Sequence, residues 1–364
     1  MATPARPSID TSPLPAAAAA SVERLLGDLC RRHPQLRGFA LKGSFYDSTE
    51  QLPDPDVDIN WLGDLPEDHG DERLGFRQVF LVDQTQVDLA TWFWNDIDQA
   101  ETASLTTAVS LARCHILWER DDAFSRPRAT ARRLLRDAEW VGTKVDEELQ
   151  AYRRTLDRWR DPAQRQPFGA SWDYARQVCT VWGLSLLSSC LLRPPSAQRK
   201  GLMEVILRSR SLGLPWFGAM STRALGCSDL QADEVRDWLA SLMATRQRLS
   251  RAIADNELAA EVDDGSLRYH CSGIESMLAQ GLPAAAAWPL WRALHLLANR
   301  FASVLPTATT EAVQFRQRLG LTDLAVIDQR LPCIAEAVER LADERDRLVT
   351  SVLHHSRQLW PTTL

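Results

Sequence analysis

Three aspartates and a glycine–serine pair have the residue types and spacing best suited to chemistry in this chain. Gly43-Ser44 ends a short apolar run, Asp56-Val57-Asp58 follows after eleven intervening residues, and Asp88 sits within Gln86-Val87-Asp88-Leu89-Ala90. Carboxylates at i and i+2 of a strand point to the same side, so Asp56 and Asp58 can hold one hard cation between them. A neighbouring strand that brought Asp88 alongside would make three. Such a cluster repels itself unless a divalent metal neutralises it, and Mg²⁺, with its oxygen ligands and bound phosphates, is the matching ion. Gly43 lets backbone approach a phosphate closely, and the Ser44 hydroxyl and N–H can bind its oxygens. Each acid also has a plain reading: Asp56 as a turn former beside Pro55, Asp58 or Asp88 as a solvated strand residue. That reading takes one acid at a time and does not explain why Asp58 and Asp88 both interrupt apolar strand ends.

The elements that must position these residues follow from hydrophobic period. A helix is expected from Ser21, with Leu25, Leu26 and Leu29 on one face, and a short strand over Gly38–Gly43. In Val57–Leu62, Val57, Ile59 and Trp61 alternate with Asp58, Asn60 and Leu62, the pattern of a strand with one buried face. Phe76–Val82 and Gln86–Trp92, joined by three residues, read as a β-hairpin. Asn95–Leu111 reads as a helix and Cys114–Trp118 as a further strand. From Arg126 onward helix-period runs dominate: Ala129–Trp140, Asp146–Arg160, Trp172–Leu192, Gln198–Arg210, Ala232–Leu258, Trp288–Ser303 and Ile334–Leu353, with Pro332 placed where the last would begin. The expected class is α+β: a flexible tail over 1–20, a catalytic domain over 21–125 with a small mixed sheet flanked by helices, and an all-α helical bundle over 126–364.

These residues resemble the nucleotidyltransferase superfamily named after DNA polymerase beta. The resemblance rests on Leu41-Lys42-Gly43-Ser44, Asp56-Val57-Asp58-Ile59 and Val87-Asp88-Leu89, and covers about 21–124. Asp47-Ser48-Thr49-Glu50-Gln51 stands where the family often has Arg-Gly, which leaves loop geometry and nucleotide preference open. The resemblance implies transfer of a nucleoside monophosphate from a nucleoside triphosphate, with pyrophosphate leaving. Asp56 and Asp58 would bridge two Mg²⁺ ions and Asp88 would complete the one that activates the acceptor. The acceptor's proton goes to Asp88 or to an acid of the helical domain. The order of domains is similar to that of the streptomycin- and kanamycin-modifying enzymes, which implies a small-molecule hydroxyl as acceptor. In some of those a lysine after a long helix reaches the triphosphate; Lys200, after Pro194-Pro195-Ser196, is the looser counterpart here, and its plain reading is a solvated partner of Glu204. Two alternatives stand beside this: a protein or tRNA acceptor, as in toxin–antitoxin systems, and a nucleotide-binding module without turnover.

Composition bounds these readings. With 364 residues, 45% hydrophobic, the chain is long enough for two cores, and a net charge of −6 gives no general pull on a nucleic-acid backbone. Seven scattered cysteines without a C-x-x-C pair read as reduced, mostly buried thiols rather than a disulfide framework or zinc site. No signal-peptide order or membrane-length apolar run stands out, so a cytoplasmic protein is expected. Arg126–Arg165 holds eleven basic against seven acidic residues, read first as solvated helix faces and second as a phosphate- or tRNA-contacting surface. Trp182, Trp288 and Trp291 read as core; Trp61 and Trp92 read as core or as walls of a nucleotide cleft. His115, His295, His354 and His355 lack ligand spacing.

Overall fold

The computed structural model describes residues 8–14, 16–42, 57–63, 77–82, 85–91, 101, 103–161, 170–178, 183–195, 200–252, 265–301 and 306–361. Helix α1 (Ala16–Arg32) leads into β1 (Leu36–Lys42), β2 (Val57–Gly63), β3 (Arg77–Val82), β4 (Thr85–Thr91), α2 (Leu105–Arg113) and β5 (His115–Glu119). The strands form one mixed sheet in the order β3-β4-β2-β1-β5. β2 and β4 run parallel, while β3 and β4 pair antiparallel from Val82 opposite Thr85, the expected hairpin.

Two layers cover this sheet. On one face Phe39, Leu41, Val57, Ile59, Trp61, Val87 and Leu89 pack with Val22, Leu26 and Leu29 of α1. On the other, Ala40 and Leu62 join the cluster of Leu105, Ala108 and Val109 from α2. The expectation of one buried face for β2 is therefore corrected: Asn60 and Leu62 are buried as well, and Leu62 belongs to the apolar cluster that includes α2. The tail is also corrected in part. Alanines 16–20 form the first turns of α1, Ile9 and Leu14 are buried, and the Asp10 N–H donates to Leu117 O at 2.7 Å.

Beyond the sheet come α3 (Ser125–Leu134), α4 (Ala138–Arg160), α5 (Ala170–Arg176), α6 (Leu184–Cys190), α7 (Gly201–Ser211), α8 (Pro215–Leu225) and α9 (Ala232–Ala252). α10 (Gly265–Ala279), α11 (Pro283–Phe301), α12 (Pro306–Arg318), α13 (Leu324–Asp343) and α14 (Arg345–Leu359) follow. The helix expected over Trp172–Leu192 is broken: Gly183 has φ of 132°, and a Cβ there would lie 2.1 Å from the Phe217 ring. Pro332 lies inside α13, whose cap is Asp323, and the last expected helix divides at Glu344. The apolar cluster that starts at Ala40 and Leu62 continues through these helices to Val352, so it crosses the boundary drawn at 125/126. Among the described residues no helix is long and apolar enough to cross a membrane.

Candidate functional site

Strand register decides which candidates meet. β2 and β4 are adjacent and parallel, and Asp58 stands directly opposite Asp88. Residues in register share a face, and neighbouring strands lie about 4.8 Å apart, so the two carboxylates leave the sheet side by side. On the other flank of β2, Lys42 of β1 is the register partner of Asp58; beyond β4, Val79 of β3 is the partner of Asp88. A row Lys42–Asp58–Asp88–Val79 thus crosses four strands at one end of the sheet. Asp88 is 4% exposed and Asp58 is half-buried.

The sequence folds this way locally because the two faces differ. Val57, Ile59, Val87 and Leu89 flank the acids in the chain, alternate with them, and seal the α1 face. That leaves Asp58 and Asp88 no choice of side. A one-residue slip would bury both carboxylates against α1 and turn four apolar side chains onto the acid-bearing face.

One row inward lies Asn60, in register with Ala40 and Ala90. Asn60 is 4% exposed, and its Oδ1 has no hydrogen-bond partner among the described residues. Such an acceptor is costly to leave unmet, roughly 1–3 kcal/mol. It lies two residues from Asp58 on the same face, between two small side chains. Sequence reasoning passed over it as a solvated member of the alternation; its place on the acid-bearing face was the available signal.

Gly43, Ser44 and Asp56 lie outside the described residues, as do Trp92, Trp182 and Cys179. Lys200 is 2% exposed at the N-cap of α7, one turn before Glu204. Glu204 itself pairs with Arg208 at 3.2 Å, and both are buried. Trp61 faces α1 at 1% exposure, so it belongs to the core, as do Trp288 and Trp291, stacked 5.8 Å apart. Among the described residues no three His, Cys, Asp or Glu side chains gather to hold a metal ion. The described cysteines are free; burial pushes the thiols of Cys114 and Cys227 up to about 12.

No protein-family model and no curated protein matches this chain. Among solved structures, a nucleotidyltransferase-like protein from Exiguobacterium sibiricum 255-15 aligns over 82% of this chain and 90% of its own, at 14% identity and a TM-score of 0.23. A superposition that loose fixes neither a fold family nor a chemistry.

Proposed function

We propose that the protein is a Mg²⁺-dependent nucleotidyltransferase that moves a nucleoside monophosphate from a nucleoside triphosphate to the hydroxyl of a small molecule. The supporting observation is the register pair Asp58–Asp88 on adjacent parallel strands, facing away from α1. Two neighbouring carboxylates with an unmet amide oxygen one row inward form an all-oxygen donor set, which suits a hard divalent cation and neither zinc nor copper. Asp58 and Asp88 would hold it together with Asp56. Bound there, Mg²⁺ would supply charge neutralisation on the triphosphate and lower the barrier to in-line attack.

The chain's own part is positioning. Gly43 and Ser44 would receive the phosphates at the end of β1. The acceptor oxygen forms its bond to the α-phosphorus as the bond from that phosphorus to the β-phosphate oxygen breaks. Pyrophosphate carries away the electron pair, and the hydroxyl proton passes to Asp88 or to a carboxylate of the helical part.

Incubation with each labelled triphosphate, Mg²⁺ and a panel of hydroxyl acceptors tests this by pyrophosphate release. The expected result is acceptor-dependent release that stops in EDTA and falls at least about a hundredfold in Asp58→Asn and in Asp88→Asn. Turnover indifferent to both substitutions would sink the proposal. Binding of the Mg²⁺–triphosphate complex without product across the panel would favour a nucleotide-binding module instead.

A further inference from the structure

A second feature has no place in the site above. A cavity of about 520 Å³ opens beside α3, lined by Ser125, Arg128, Arg132, Arg133, Arg136 and Trp360, with Ala129 and Asp137 completing it. Positions 125, 128, 129, 132, 133 and 136 follow helical spacing, so α3 and the turn after it turn one stripe toward this space. Four guanidinium groups line it against one carboxylate, in a chain of net charge −6.

Contacts account for three of these arginines: Arg128 lies within electrostatic reach of Glu119, and Arg132 and Arg133 have the partners that follow. Arg133 reaches Glu101 at 3.3 Å, and Arg132 donates from Nε to Ala112 O at 3.1 Å while lying 5.2 Å above the Trp360 ring. The single lining carboxylate, Asp137, is occupied with the Glu139 and Trp140 N–H groups as the cap of α4. Arg136 Nε is buried and has no hydrogen-bond partner among the described residues. Arginines near a helix C-terminus are favoured by its dipole, which covers Arg132 and Arg133 in the last turn of α3. It does not cover the unmet donor of Arg136, beyond the end of α3.

From this we infer a binding site for a small ligand carrying two or more phosphates. Planar guanidinium forks match phosphate oxygens two at a time, and a volume of this size holds a ligand of nucleotide dimensions. None of its lining residues belongs to the carboxylate row: α3 follows β5, an edge strand, and β1 and β2 lie between β5 and Asp88 on β4. It stands whether or not the nucleotidyltransferase proposal does.

Calorimetric titration of the full chain with inorganic tripolyphosphate in EDTA isolates this site, because without metal the aspartates repel the anion. Saturable one-to-one binding is expected, unchanged in Arg210→Gln, an exposed arginine outside the cavity. Arg128→Gln/Arg136→Gln should weaken it at least about tenfold. Arg136→Gln alone, whose Nε has no hydrogen-bond partner among the described residues, should weaken it in the same direction and serves if the double variant does not fold. Absence of saturable binding, equal binding by Arg136→Gln, or an equal loss in Arg210→Gln would each overturn the inference.

Discussion

Asn60 sets stability against function in one side chain. Its buried Oδ1 meets no donor among the described residues, while Ala40 and Ala90 on either side offer only methyl groups. A valine at this position would suit a strand covered on both faces and would remove the unmet acceptor. Asn60→Val should therefore raise the unfolding free energy by about 1 kcal/mol, read from the urea midpoint at constant slope. The same variant should lose pyrophosphate-release activity, because the amide oxygen facing the acid row is gone. A variant both less stable and fully active would show that the amide belongs to the fold and not to the site. Asp58 and Asp88 were legible from types and order alone, since each interrupts an apolar alternation. Asn60 was not, because an asparagine alternating with buried residues looks the same whether water or protein lies above it.

β1 comes close to the segment ahead of α3 at Gly38. A Cβ on Gly38 would meet Cδ2 and Cε2 of Phe124 at 2.8 Å and the Trp118 carbonyl oxygen at 3.0 Å, and Phe124 is fully buried just ahead of α3. Gly38→Ala should destabilise by about 1–3 kcal/mol through overpacking, with a lower denaturation midpoint. Activity measured well below that midpoint should persist, since Gly38 is at the far end of β1 from Lys42. An unchanged midpoint would mean that the Phe124 ring simply shifts aside. The five strands were readable because each is a short apolar or alternating run between turn-forming residues. Their order was not: the parallel pairing of β2 with β4 depends on contacts no local pattern encodes. Helix ends failed where backbone conformation rather than composition decides. Gly183, at positive φ under Phe217, divides one expected helix, and Pro332 sits within α13 because Asp323 caps that helix earlier.

Charge pairs fasten the C-terminal helices to α4 and lose their attraction in acid. Arg345 of α14 holds Asp146 of α4 through two bonds, Nε to Oδ1 at 2.7 Å and Nη2 to Oδ2 at 2.8 Å. Two turns on, Arg153 grips Glu339 of α13 at 2.9 and 2.6 Å. The hydrogen bonds from Arg345 hold the Asp146 carboxyl below its ordinary 3.8, and those from Arg153 hold Glu339 below its ordinary 4.5. A carboxylate more acidic in the folded than in the unfolded chain stabilises fully above its unfolded value. That stabilisation fades as pH falls through the folded one. Asp146 and Arg345 are 44% and 39% exposed, so solvent screening limits their pair to well under about 1 kcal/mol. Arg345→Ala should thus lower the melting temperature by a degree or two at pH 7, and the deficit should shrink as pH falls below about 4. High salt at pH 7 should narrow the gap in the same way, because screening and protonation remove the same attraction. Melting curves for both proteins across that range decide the matter. A deficit that holds constant into acid would mean that Arg345 acts by packing over Gly142, where a Cβ would come within 2.9 Å of its Nη2, and not by charge.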